Sequence, residues 1–168
     1  MTCLDSVMYR YVVCAASSTI LLYNTDTYSP LDVVINVDGM RHPTDIVVCR
    51  DDRQLYVADL HYCIWRVSAD DHSYVKWLTT ESTTDTFRVD MLSLTSRRLL
   101  VTSFSPGLHQ YSTTDRQLLR VVTLPDCVWL HHAVETTRQT FVICHYGTAL
   151  YRCRYAVSEM FSFCHNCE

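Results

Sequence analysis

A repeated apolar tetrapeptide is the feature of this 168-residue chain that most restricts its fold. Its four copies lie at residues 11–14, 56–59, 100–103 and 141–144, at spacings of 45, 44 and 41 residues. A fixed period of about 43 residues is typical of repeat architectures, in which each unit buries its apolar surface against its neighbours. The fold of one unit therefore decides the architecture of the whole chain.

Three arginines keep the same register as the apolar repeat. Arg53, Arg97 and Arg138 each stand three residues before a copy of the tetrapeptide, and a pair of polar residues precedes each of them. Polar pairs of Asp, Ser and Thr between two apolar runs are typical of hairpin turns. The recurring arginines therefore mark the turn that leads into one strand of each unit.

Further apolar runs complete each unit. They are four to seven residues long, rich in β-branched and aromatic residues, and bounded by Asp, Ser, Thr or Pro, which favours strands over helices. Runs after the tetrapeptide lie at 20–23, 63–67, 108–111 and 149–153, third runs at 31–37, 74–78 and 118–124, and preceding runs at 44–49, 89–94 and 128–134. Four short strands per repeat is the number found in one blade of a β-propeller.

The sequence thus predicts one all-β domain, 1–168, built as a β-propeller-type array of about four four-stranded blades. The repeats span about 1–40, 41–85, 86–126 and 127–168. A β-sandwich is the alternative, and it explains the strands but not the recurring turn arginine. With only three glycines in the chain, we expect longer hairpin loops rather than two-residue primed turns.

The second repeat resembles a known family. It contains His42-Pro43-Thr44-Asp45-Ile46-Val47-Val48, then Leu55-Tyr56-Val57-Ala58-Asp59, then Ile64-Trp65-Arg66-Val67. These segments resemble the NHL and YWTD families of six-bladed propellers, in which a Pro-led strand is followed by an L-Y-V-A-D or Y-W-T-D strand and an Ile-x-Arg strand. The resemblance implies that Asp59 is largely structural and fixes its blade beside the neighbouring blade.

Four blades leave a six-bladed ring incomplete, because two more blades need roughly 90 further residues. Three arrangements avoid the exposed sheet edges of an open arc. The chain is a fragment of a longer protein, or it closes as a four-bladed ring, or two chains complete one ring as a homodimer. We favour the fragment.

Composition limits the compartment and the partners. The net charge is −4, with one lysine and thirteen arginines, so there is no global basic field to attract nucleic acid. No stretch reaches the roughly 18 apolar residues of a membrane helix. The nine cysteines lie mostly in apolar runs rather than at disulfide spacings, which indicates reduced core thiols and a cytoplasmic protein.

The predicted recognition surface is one end of the blades, called the loop face here. It contains the loops between the second and third strands of each blade and the connections into the next blade. Aromatic and histidine side chains in such loops favour recognition of a protein partner. The candidate partner-binding residues are His42, Asp59, His61, Tyr62, Phe104, His145 and Tyr146.

Two other functions remain as alternatives to a rigid protein-recognition scaffold. RNA binding by an NHL-type module would use the basic row Arg53, Arg97 and Arg138 on the opposite, turn face. A lactonase-like hydrolase would hold calcium with carboxylates near the central channel. Asp45, Asp90 and Glu135 are 45 residues apart but do not keep one register to the apolar repeat. We therefore expect no catalytic residue.

The C-terminal pair Cys164 and Cys167 has the C-x-x-C spacing of half a zinc site or of a redox pair. Four ligands are needed for a structural zinc, and the nearby candidates belong to a different strand pair. We expect neither metal nor cofactor.

Overall fold

The computed structural model describes residues 9–60, 63–79, 88–95, 97–103, 107–123, 130–135, 139–144 and 150–154, the last two ranges by their backbone only. These residues form fourteen β-strands. The strands are β1 Tyr9–Val13, β2 Thr19–Asn24, β3 Pro30–Asn36, β4 Pro43–Cys49, β5 Gln54–Asp59, β6 Cys63–Ser68, β7 Tyr74–Thr79, β8 Val89–Thr95, β9 Arg98–Ser103, β10 Gly107–Ser112, β11 Leu118–Thr123, β12 Leu130–Glu135, β13 Gln139–Cys144 and β14 Leu150–Arg154.

Strands that follow one another in sequence pair in antiparallel fashion to give four sheets. The first sheet is β1-β2-β3, the second β4-β5-β6-β7, the third β8-β9-β10-β11 and the fourth β12-β13-β14. Every apolar run of the sequence analysis overlaps a strand, and the tetrapeptide lies in β5, β9, β13 and, except for Cys14, in β1. The predicted all-β array of four-stranded units is confirmed, with three strands described in each terminal sheet.

The second sheet is covered on both faces, which explains why β5 has a continuous apolar sequence. Leu55 and Val57 pack with residues of the first sheet, such as Ile20 and Ile35. Tyr56 and Ala58 project from the opposite face of β5 and pack with the third sheet. A strand with two buried faces cannot alternate between apolar and polar residues. The outermost strands β3 and β11 are partly solvent-exposed and carry exposed residues at most positions.

Neighbouring sheets meet through their first two strands. β4, β8 and β12 lie side by side, and β1, β5 and β9 each pack on the first strand of the following sheet. The hydroxyl of Thr44 donates to the Asp90 carbonyl at 2.6 Å, and the N–H of Leu92 donates to the Asp45 carboxylate at 2.8 Å. These hydrogen bonds join the second sheet to the third at the strands on the inner side of the array.

Three hairpin loops of five residues have the same structure. They connect the last two strands of the first three sheets, at 25–29, 69–73 and 113–117. In each loop a side-chain oxygen accepts the backbone N–H groups two and three residues further on, which fixes the turn. The accepting residues, 44 positions apart, are Asn24, Ser68 and Ser112. These three loops agree with the expectation of longer hairpin connections, whereas only two residues join β8 to β9.

The first sheet exposes an apolar face on the side away from the second sheet. Val12, Leu21 and Val34 are paired across its three strands. By alignment of the repeats, Val12 and Leu21 correspond to Val57 and Trp65, which are 0% and 4% exposed in the second sheet. Val12 is instead 37% exposed, and Val34, opposite Leu21 on the outer strand, is 45% exposed. The first sheet therefore presents core-type side chains without a covering sheet among the described residues.

Candidate functional site

Asp59 is the central residue of the loop face that the structure describes. Its side chain is fully buried at the end of β5. The carboxylate accepts the N–H of His42 at 2.7 Å, the N–H of Arg41 at 3.1 Å and the indole N–H of Trp65 at 3.0 Å. Three donors at one carboxylate satisfy a group that would otherwise be costly to bury. Asp59 thus joins residues 37–42, which connect the first sheet to the second, to β5 and β6.

The connection itself is a compact turn. The N–H of Met40 donates to the Val37 carbonyl at 3.1 Å, and the N–H of Leu60 donates to the His42 carbonyl at 2.9 Å. Gly39 has a φ of 91° and passes over the ring of Trp65, whose nearest atoms would lie 3.7 Å from a Cβ at this position. Glycine suits this turn because that φ is strained for residues with a side chain. The turn exposes Arg41 and His42.

Of the seven predicted partner-binding residues, the structure describes two. His42 is exposed on the connection, as a contact residue has to be. Asp59 lies beneath that connection with no exposed surface, so it positions the loop rather than touching a partner. His61, Tyr62, Phe104, His145 and Tyr146 lie outside the described residues, and their role stays a prediction.

The three turn arginines do not share one environment. Arg53 donates from Nε to Asp70 Oδ1 at 2.5 Å, and both side chains are 56% exposed. Arg97 lines a groove between the second and third sheets. Arg138 lies outside the described residues. Only the backbone contact is shared, because the carbonyls of Arg53 and Arg97 accept the N–H groups of Ala69 and Thr113, both at 2.9 Å.

The three carboxylates weighed as calcium ligands occupy different positions. Asp90 takes the strand position of Thr44, while Glu135 lies at the opposite end of its strand, next to the turn into β13. Burial raises the pKa of Asp45, whose carboxylate accepts the N–H of Leu92. Within the described ranges, no three His, Cys, Asp or Glu side chains are close enough to hold a metal ion.

Glu135 belongs to a buried polar network that the sequence analysis did not identify. Its side chain is fully buried, and Gln110 Nε2 donates to its two oxygens at 3.1 and 3.2 Å. Arg120 donates to Gln110 Oε1 at 2.8 Å and lies 3.7 Å from Glu135, as does Arg98. The network joins the third sheet to the fourth. Polar residues inside otherwise apolar strands are the sequence feature that could have indicated it.

The cysteines with described side chains are all thiols. Cys49 and Cys63 are buried, as predicted, whereas Cys14 is exposed. Burial, together with the neighbouring Asp59, raises the pKa of Cys63 to about 12, so this thiol stays protonated and unreactive. Cys164 and Cys167 lie outside the described residues. In the part of the chain that is described, no helix is long and apolar enough to cross a membrane.

Comparison with solved structures identifies the architecture. The chain is similar to the structure of U3-55K, with a TM-score of 0.71 and 12% identity over 92% of this chain and 48% of that one. The crystal structure of RRP9 WD40 repeats gives a TM-score of 0.72 and 12% identity, over 92% of this chain and 47% of that one. The crystal structure of a mitotic checkpoint complex gives a TM-score of 0.69 and 13% identity, over 92% of this chain and 46% of that one.

This chain spans about half the length of the solved chains it matches. No family model matches the sequence, and no curated protein matches it. At 12% to 13% identity the similarity concerns the fold alone, and these neighbours are not specifically NHL or YWTD proteins. The chain forms four consecutive antiparallel sheets that pack through their first two strands. Together with these neighbours, this arrangement shows that the chain has the β-propeller fold and forms part of a propeller.

Proposed function

We propose that this chain is a protein-interaction module that presents the loop face to a partner protein. The observation that carries the proposal is the Asp59 clamp, in which one buried carboxylate fixes the connection exposing Arg41 and His42. A recognition loop held in one conformation loses little conformational entropy on binding, and this favours affinity. One neighbour in fold is the structure of a complex, which supports a role in assembly.

Two finer assignments belong to this proposal. The strand motifs of residues 42–67 support NHL-type blades, although the similar solved structures include WD40 repeats. The buried thiols Cys49 and Cys63 support a reducing compartment such as the cytoplasm, because thiols persist there.

The experiment is affinity capture with the wild type, identification of the captured protein, and titration of that protein, once purified, against variants. We expect the Tyr62→Ala/Tyr146→Ala variant and the His42→Ala variant to weaken its binding while the thermal unfolding temperature stays unchanged. Tyr28→Ala is the matched control, because Tyr28 is 61% exposed and lies in a loop of the turn face. Equal binding by the loop-face variants and the wild type would contradict the proposal.

A further inference from the structure

A groove of about 490 Å³ opens between the second and third sheets at their turn ends. Arg66 of β6 lines one wall, and Arg97, at the turn before β9, lines the other. Val75 of β7, which pairs with Arg66, adds apolar surface, and Ser68, Ser73, Thr113 and Thr114 add hydroxyl groups. Its volume lies in the range of roughly 300–1,000 Å³ that is typical of ligand sites.

The groove results from one side chain that differs between equivalent positions. Leu22, Arg66 and Gln110 are 44 residues apart, and each pairs with the first residue of the tetrapeptide in its sheet. Leu22 is 6% exposed and belongs to the core between the first two sheets. Gln110 is 3% exposed and bonds to Glu135 between the third and fourth sheets. Arg66 is only partly buried, and its interface is the open one.

The groove also lacks the carboxylate that accompanies Gln110. Glu135 of β12 pairs with Thr140, the residue before the tetrapeptide of the fourth sheet. The equivalent residue of the third sheet is Leu94, which pairs with Leu99. Neither Arg66 nor Arg97 is within salt-bridge distance of a carboxylate in the described part of the chain. The Asp52 carboxylate lines the groove but accepts the thiol of Cys49 at 3.6 Å. Two guanidinium groups thus face a cleft that contains one carboxylate.

We propose that this groove binds an anionic side chain of an extended peptide segment from a partner protein. Arg66 and Arg97 supply paired N–H donors that match the oxygens of a carboxylate or phosphoryl group. Val75, which is 42% exposed, offers apolar contact to a flanking residue of the segment. The inference deepens the proposed function, on which it rests, by adding a second recognition site on the turn face.

The test is fluorescence anisotropy with labelled eight-residue peptides that differ only at two central positions, occupied by glutamate, glutamine or phosphoserine. We expect the glutamate or the phosphoserine peptide to bind at least tenfold more tightly than the glutamine peptide. Arg66→Gln and Arg97→Gln should each weaken binding about tenfold, because each removes a charge-assisted hydrogen bond. Asp52→Asn should tighten binding by removing a like charge.

Arg53→Gln is the matched control, because Arg53 lies on the same turn face but outside the groove and pairs with Asp70. It should leave peptide affinity unchanged. Equal loss with Arg53→Gln and Arg66→Gln would overturn the site, since binding would then follow overall charge. Equal binding of the glutamine and charged peptides, or no binding of either charged peptide, would also overturn it.

Two further comparisons separate the possible outcomes. The site is supported if the binding of both charged peptides depends on Arg66 and Arg97 in the same way. The peptide that binds more tightly, with glutamate or with phosphoserine, then identifies the anion. Retention of single-stranded RNA through these arginines, without peptide binding, would overturn the proposal in favour of nucleic acid. The Tyr62→Ala/Tyr146→Ala variant should bind the peptides normally, so failure at the loop face and failure at the groove are distinguishable. Should Arg66→Gln unfold, the exposed Arg97 and Asp52 still test the site.

Discussion

Replacement of Asp59 by alanine is the most direct test of the clamp that holds the loop face. The carboxylate accepts three hydrogen bonds in a fully buried position, from the N–H groups of Arg41 and His42 and from the indole of Trp65. Asp59→Ala removes all three acceptor contacts at once. The connection between the first two sheets then loses its hydrogen bonds to β5, and the free energy of unfolding should fall.

The size of the loss follows from the three donors. Hydrogen bonds to a charged group contribute about 1.5–3 kcal/mol each, and a buried donor left without an acceptor costs about 1–3 kcal/mol. Arg41 and His42 lie in an exposed turn, so water can replace the carboxylate at their N–H groups. Trp65 is 4% exposed, and its indole N–H has no such replacement. We therefore expect Asp59→Ala to cost about 3–5 kcal/mol, mostly through Trp65.

The measurement is urea unfolding of the wild type, Asp59→Ala, Trp65→Phe and the double variant. Phenylalanine removes the indole donor, so the double variant leaves no orphaned N–H and should be about 1–2 kcal/mol more stable than additivity predicts. Asp51→Ala is the control, because Asp51 is an exposed turn residue, and it should change stability by less than about 0.5 kcal/mol. A loss below about 1 kcal/mol for Asp59→Ala, or strict additivity with Trp65→Phe, would refute this reasoning.

Three further predictions concern other parts of the fold. Trp77→Phe should cost at least about 1 kcal/mol less than Trp65→Phe, by urea unfolding, because the buried Trp77 indole N–H has no described acceptor to lose. Burial lowers the pKa of His109 below 6.5, so the unfolded chain takes up this proton first and stability falls as the pH drops below 6.5. His109→Phe should therefore lose less stability than the wild type between pH 7 and pH 5, and an equal loss would contradict this. Val12→Ser/Val34→Ser should reduce concentration-dependent association in light scattering, because these exposed apolar residues favour self-association; a concentration-independent wild-type mass would argue against it.

The strands could be predicted because their information is local. The run of residues 44–49, for example, contains β-branched residues between polar turns, and in the structure it lies in β4, Pro43–Cys49. Only the ends differ, as in the run 128–134, where β12 begins at Leu130. The recurring loops were also present in the sequence, as Asn24, Ser68 and Ser112 at a spacing of 44 residues.

The site residues could be predicted only in part because their partners are distant in sequence. The resemblance of the L-Y-V-A-D strand implies a structural role for Asp59, yet its backbone donors lie 17 and 18 residues away in the connection between two sheets. The buried network of Glu135 depends on Gln110, 25 residues earlier and in another sheet. Neither contact follows from hydrophobic periodicity, because periodicity gives the face of a strand but not the side chain opposite it.

The positions 22, 66 and 110 show why the fold and the site require different reasoning. Backbone pairing is the same at all three, with Tyr11, Tyr56 and Leu100 as the partners. Strand pairing uses backbone groups and so tolerates leucine, arginine or glutamine, which is why a degenerate repeat still folds as a series of sheets. The space between sheets depends on side chains. Leucine fills it, glutamine closes it through hydrogen bonds to a glutamate of the next sheet, and arginine without such a glutamate lines a charged groove. Functional surfaces in such a chain are therefore found by comparing equivalent positions across sheets, where the repeat departs from itself.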